Sequence, residues 1–490
     1  MSYLLKENKK ILIFIKLLLL TLITILFYKG LNSYMGNIFL YIVFSLFSNY
    51  LLFFAFRSNA IFFESFFSVL IWLGFWFKFT CIISFGDSLF GGETGGFNYT
   101  SSQFDETLII SLVGISAIII SGHIREVFFN YPRKITLNFD YYKLYKKYRI
   151  FILTIFLLLT LLVAFYNWNY HIYQRGMISL AAYNPLVSGV FKWLLLFGLS
   201  SFGAIILFLE GVAFKKIFFL TFFIISLEFF LSSTSMMSRG MIFNSLAVLY
   251  GLYKYANKLE IKFRIQNFLS FLLTILFLFY LSIIIVNILR YDSFNIKNDN
   301  TNLNKSLEVK TTIKKSNNEV FHLLVNRWVG IDGVMTLVGQ REILGYSLLE
   351  ESFNERFSSN TVTFYEKNFG LKYSEVFRSE NYIIKGNRMV KGNTLMGIIA
   401  FMFYSGSYIF LFFSIIAVCL FGSLIEIITY KISSKNIILA SLIGQIIAFR
   451  YIHFGYLPHQ SYLLIGTIVL NIVIIYFINK FLLKTCNYLK

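Results

Sequence analysis

Apolar runs long enough to cross a bilayer recur about twelve times along this chain, and no other feature constrains its fold as strongly. They fall near residues 11–28, 38–56, 61–85, 107–124, 150–167, 189–209, 217–234, 241–253, 267–289, 395–427, 437–452 and 462–480. A hydrocarbon core of roughly 30 Å takes about 20 helical residues. Inside it every backbone polar group has to be satisfied, which leaves helices or a closed barrel. Continuous apolar runs rather than period-two alternation select helices. With 57% hydrophobic and 14% charged residues, the chain has more apolar surface than a soluble protein can cover. The expected fold is an all-α polytopic integral membrane protein with about twelve transmembrane helices. Helices 1–9 occupy residues 1–289, a long, mostly helical extracytoplasmic loop spans 290–394 between helices 9 and 10, and helices 10–12 occupy 395–490. The run from Thr394 to Glu426 is too long for one crossing and is broken at Ser405-Gly406-Ser407. That break predicts a short re-entrant helix at 395–404 ahead of the true span.

A net charge of +20 would point to nucleic acid in a soluble protein. In a membrane protein, short cytoplasmic loops collect Lys and Arg instead. With the N-terminus inside, the cytoplasmic pieces hold 22 of the 44 basic residues, seven of them from Arg125 to Arg149. The short outside loops hold only Lys29, Arg175, Arg239 and Arg450. Both termini are therefore expected in the cytoplasm and the long loop outside, with no nucleic-acid partner. The first span follows Lys6, Lys9 and Lys10 as a signal peptide would, but no small-residue cleavage site follows it, so it reads as an uncleaved helix. Cys81 and Cys419 fall in apolar spans and Cys486 in the basic tail, and all three read as free thiols.

The chemistry-bearing residues concentrate on the outside. Arg175-Gly176 and Arg239-Gly240 each precede a helix that descends into the membrane. A helix N-terminus offers unpaired N–H groups, glycine lets the backbone approach closely, and guanidinium grips phosphate with two parallel hydrogen bonds. Ser232 to Ser238 add hydroxyls as donors or caps. A third such pair, Arg327 with Gly330, lies in the stretch FHLLVNRWVGIDGVMTLVG, Phe321 to Gly339. One arginine at a helix end is often only a snorkelling side chain; three Arg-Gly sites on one side point to an anion. Read as a helix, the stretch puts Trp328 and Asp332 on one face, with Arg327 about 140° from Asp332. Asp332 is then either a general base or an ion-pair partner. His453 and His459 are further candidates for a base or a hydroxyl-orienting donor, and their six-residue gap with no cysteine nearby predicts no structural metal. No Walker loop, dinucleotide fingerprint or nucleophile elbow occurs, so no cofactor is expected and any activated donor arrives within the membrane.

Four segments, IYQRGMISLAAYNPLVSGVFKWLLLFGL, SSTSMMSRGMIFN, VNRWVGIDGVMTLVG and NTLMGIIAFMFYSGS, occur in that order with a long outside loop between the second and fourth. In this combination the chain resembles the O-antigen or capsule repeat-unit polymerases of the Wzy type, over roughly Tyr170 to Ser407. The resemblance implies glycosyl transfer at the outer face of the bacterial cytoplasmic membrane. A growing polyprenyl-diphosphate-linked glycan would move onto the non-reducing end of another lipid-linked repeat unit, without nucleotide or metal. Its partners would be lipid-linked oligosaccharides, membrane lipids and a chain-length regulator. Arginines in two outside loops of the family are held to bind the two substrates. Arg175 and Arg327 match them by position, with spacings to Gly189 and Gly339 that differ from the family's usual one. On this reading Arg175, Arg239 and Arg327, helped by Gly176, Gly240 and Gly330, hold the diphosphates, and Asp332, His453 or His459 takes the proton. An O-antigen ligase shares the same chemistry. A flippase would want charges deep in the spans of both halves, where this chain has few, such as Glu64, Lys78, Lys192 and Glu228.

Overall fold

The structure, a computed structural model, describes residues 2–85, 94, 96–132, 142–175, 177–179, 184–258, 265–294, 325, 328–354, 388–390, 396–453, 466–478 and 480–481. The apolar runs fold as helices, and several begin at a side-chain cap. Asn37, Thr100, Asn184, Ser407 and Asn436 each accept a hydrogen bond from a backbone N–H two or three residues on. In chain order the elements are α1 (Ser2–Ser33), α2 (Ile38–Phe54), α3 (Phe62–Trp72), α4 (Lys78–Phe85), α5 (Ser101–Phe128), α6 (Tyr142–Tyr170) and strand β1 (Met177–Ser179). Then come α7 (Pro185–Trp193), α8 (Leu199–Phe214), α9 (Phe219–Ser235), α10 (Met241–Lys258), α11 (Ile265–Phe294), α12 (Ile331–Gly339) and α13 (Tyr346–Asn354). Strand β2 (Arg388–Val390), α14 (Ile398–Met402), α15 (Tyr408–Ile432), α16 (Ile437–Ile452) and α17 (Gly466–Ile478) follow.

Six helices, Phe62–Phe85, Ser101–Phe128, Tyr142–Tyr170, Leu186–Phe214, Gln266–Leu289 and Tyr408–Ile432, are long and apolar enough to cross a membrane by length and composition. Among the described residues, shorter apolar helices lie on the other runs except 241–253, which falls in α10. The first and fourth of the six each contain a π-helical turn, Leu73–Phe77 and Leu194–Gly198, which rotates the side chains that follow. The chain is thus a helical membrane protein. Its one departure from all-α among the described residues is a two-stranded antiparallel ribbon, with Met177 opposite Val390 and Ser179 opposite Arg388.

Packing divides the helices into an inner and an outer set. Helix α16 is enclosed by α3, α8, α10 and α15, and nearly every residue from Ile437 to Ala448 is buried. Its approach to α10 needs small residues: Ser441 Oγ donates to Ala247 O at 2.7 Å, and a Cβ on Gly251 would lie 2.7 Å from Ser441 Cβ. Helix α11 is the opposite case. Leu273, Phe277 and Tyr280 form an exposed apolar stripe more than 60% accessible, a surface suited to lipid rather than water.

At one end of the helices, three buried carboxylates fasten neighbouring elements. Glu64 binds Arg57 at 2.7 Å and Arg125 at 2.5 Å. Glu210 accepts from Tyr145, Thr221 and Arg149 and from the Phe218 N–H. Glu426 accepts from the Phe62 and Phe63 N–H groups, the open start of α3, and from Tyr131. Each buried charge here has its partners, the condition under which such groups are tolerated.

At the other end sits the glycine-rich stretch that the sequence singled out. Its helix at Ile331–Gly339 begins after Trp328, which sits in a bend, so the reading of Trp328 and Asp332 on one helical face does not hold. They meet through Lys78, whose Nζ pairs with the Asp332 carboxylate and donates to Trp328 O at 3.0 Å. The stretch is wedged into the helix bundle. A Cβ on Gly333 would lie 1.9 Å from Met396 O, and one on Gly74, in the first π turn, 2.2 Å from Val329 O. The glycines at these two positions are what lets α12 seat. The run broken at Ser405–Gly406 forms the five-residue buried α14, a turn with Gly406 at φ 70°, and then α15.

Candidate functional site

The same end of the bundle holds a polar cavity of about 40 Å³ between α9, α10, α16 and the second π turn. Helical periodicity explains which side chains reach it. Glu228, Phe229, Ser232, Ser233 and Met236 form one face of α9, and Gln445, Ile446, Phe449 and Arg450 one face of α16. Met241, Phe243 and Asn244 come from α10, Leu195 and Leu196 from the π turn, and Arg175 from the loop after α6.

Arg175 is held there by its neighbours' backbone. Buried Asn167 donates to Tyr173 O and Ser235 O, each at 3.0 Å, and accepts from Tyr173 N at 2.8 Å. The Arg175 N–H then donates to Met236 O at 2.9 Å. Helix α9 ends in a Schellman-type turn: Ser238 N donates to Ser233 O, Met237 N donates to Thr234 O, and Met237 takes the left-handed φ of 52° usually left to glycine. The turn brings hydroxyls onto the start of α10. Ser238 Oγ accepts from Gly240 N and Ser233 Oγ from Met241 N, both at 3.1 Å. Of the serines expected to be donors or caps, Ser233 and Ser238 serve here as caps.

The cavity's electrostatics are unbalanced. Arg175 and Arg450 both line it, and among the described residues neither forms an ion pair. Arg175 Nε is buried without an acceptor. The one carboxylate of the lining is Glu228, 1% exposed, whose Oε1 accepts from Ser232 at 2.9 Å while Oε2 has no donor. Gln445 Oε1 is buried and unpartnered as well. Buried polar atoms are normally satisfied, so unmet donors and unmet acceptors in one hollow describe the ligand it would take. Such a ligand is anionic and bears hydroxyls.

Of the residues expected from sequence, Arg175 and Gly240 line this cavity. Arg239 does not; its guanidinium bonds Asn287 on α11. Asp332 lies outside the cavity as the partner of Lys78, and Gly330 packs against Gly74. His453 caps α16 just beyond Arg450. Its Nδ1 lies 2.7 Å from Phe449 O, a group that only accepts, so the ring carries its proton there and leaves Nε2 as an acceptor. Burial, with the charges of Arg450 and Arg175, pushes the imidazole down to about 4, against the Phe449 hydrogen bond that holds it up. A ring of that basicity is neutral at pH 7 and suits orienting a hydroxyl better than removing its proton. Gly176, Arg327 and His459 lie outside the described residues.

The sequence reading missed Arg450, Glu228, Gln445 and Asn244 as site residues. Glu228 was visible as a rare carboxylate in an apolar run, itself a functional signal. The convergence of α9 and α16, separated by about 200 residues, left no local trace.

Compared with protein-family models, curated proteins and solved structures, the chain matches none. Fold and site together define a helical membrane protein with an arginine-bearing polar cavity at one end of its helices.

Proposed function

We propose that this protein polymerises polyprenyl-diphosphate-linked oligosaccharide repeat units at the outer face of the bacterial cytoplasmic membrane, with twelve spans and both termini inside. The observation that carries the reading is the cavity in which Arg175 and Arg450 have no ion-pair partner among the described residues. Both side chains are half-buried, a setting in which a guanidinium favours an anion, and a lipid diphosphate can bring one laterally from the bilayer. The basic residues gathered at the carboxylate-fastened end favour that end as cytoplasmic, which turns the cavity outward.

The chemistry asks little of the protein beyond electrostatics and placement. The diphosphate is a good leaving group, so two preorganised arginines stabilising its growing charge and a fixed acceptor hydroxyl supply the main terms. Deletion of the gene is expected to leave single repeat units on the lipid carrier, seen by mass spectrometry of extracted lipids and by loss of the polysaccharide ladder. Repeat units trapped on the cytoplasmic side would instead identify a flippase. Full-length polymer retained on its carrier would identify a ligase.

A further inference from the structure

We infer that Glu228 is the catalytic base, the group that takes the proton from the attacking sugar hydroxyl. The inference rests on the polymerase reading and goes beyond it, since neither that reading nor the Arg-Gly pattern calls for a carboxylate at this place.

Three independent features of the site point to it. The side chain is 1% exposed and lines the cavity that also holds Arg175 and Arg450, which form no ion pair among the described residues. Oε1 is fixed by Ser232, four residues on, at 2.9 Å, which orients the carboxyl and leaves Oε2 as the reactive oxygen. Oε2 has no donor of its own. Gln445 Oε1, in the same lining, is a second unmet acceptor, able to receive a further hydroxyl of the substrate. The buried carboxylates at the opposite end differ in this respect: Glu64, Glu210 and Glu426 each bind arginines, hydroxyls or N–H groups through both oxygens or several donors. Asp332, the other acid considered, is spoken for by Lys78, and His453 is too weak a base.

The step balances without any co-reactant. The acceptor O–H bond breaks, its proton goes to Glu228 Oε2, and the oxygen forms a bond to the donor's anomeric carbon. The bond from that carbon to the diphosphate oxygen breaks, and its electron pair leaves with the polyprenyl diphosphate between Arg175 and Arg450. Glu228 then returns its proton to the departing diphosphate or to water.

The test uses purified full-length protein in nanodiscs, supplied with lipid-linked repeat units extracted from the deletion strain. Glu228→Gln keeps size and hydrogen-bonding shape but cannot accept the proton; it is expected to lower kcat by about 10²- to 10³-fold with KM within about threefold. Glu228→Asp, which keeps the carboxylate, is expected to recover part of the rate, and the acidic limb of the wild-type pH–rate profile is expected to be absent from the residual Gln activity. Full activity in Glu228→Gln would overturn the assignment. So would a joint loss of rate, lipid-substrate affinity and melting temperature in both variants, the pattern of a structural carboxylate. If the wild-type protein itself forms no polymer in this assay, the polymerase reading fails and the base assignment falls with it.

Discussion

Arg450→Met is expected to slow glycan polymerisation by about 10²- to 10³-fold, the effect of removing one preorganised donor to developing negative charge, without loss of protein from the membrane. Arg175→Met should behave alike. The argument turns on what each arginine leaves behind. Removing one partner of a buried ion pair typically costs about 3–5 kcal/mol because the other charge is orphaned. Neither Arg175 nor Arg450 has such a partner among the described residues, so their loss strands nothing. Arg125, bound to Glu64 at 2.5 Å and only 2% exposed, is the contrasting case, and Arg125→Met should destabilise the protein with activity lost only in proportion. Arg450→Lys should restore part of the rate, since ammonium supplies charge but not the two-point grip of guanidinium. The measurement is initial rate set beside melting temperature for all four variants. Parallel falls in both quantities for Arg450→Met would contradict the assignment.

Lys78→Met carries the second large effect, and it falls on stability. Lys78 is 2% exposed and holds both Asp332 and Trp328 O, joining α4 to the stretch that leads into α12. Its loss leaves a carboxylate and a carbonyl without their donor at a joint already closed by Gly74 and Gly333. A destabilisation of about 3–5 kcal/mol follows, read as a lowered melting temperature of the detergent-purified protein. The double variant Lys78→Met/Asp332→Leu removes both charges and should recover most of it. The same series decides the role of Asp332, which sequence offered as a base. Asp332→Asn is expected to lower stability and to keep kcat in the protein that remains folded. A large fall in kcat at unchanged stability would make Asp332 catalytic after all.

Much of the fold was legible because membrane helices announce themselves in one dimension. The break at Ser405–Gly406 and the run at 217–234 that became α9 follow from apolar length and turn residues, whereas the helix expected directly after Arg175-Gly176 is preceded by strand β1 and starts at Pro185. What lay beyond reach were features set by contact between distant segments. The glycines of the central stretch read as anion-binding elements, yet Gly333 answers to Met396 O and Gly330 to the backbone at Gly74. Asp332 read as a base or an ion-pair partner, and only the arrival of Lys78, some 250 residues earlier, distinguishes the two. Arg175 was legible because it is a rare charge in a short loop. Arg450 was noted for the same reason, but its place in one cavity lining with Glu228 depends on α9 and α16 presenting matching faces, which periodicity within either helix does not reveal.

The most direct test of the central claim is incubation of the purified wild-type protein in nanodiscs with lipid-linked repeat units from the deletion strain, in chelator and without nucleotide. The products are resolved by length. A ladder of multiples of the repeat unit, with free polyprenyl diphosphate released in step, is the predicted result. Repeat units recovered unchanged, from protein whose melting temperature shows it folded, would contradict it.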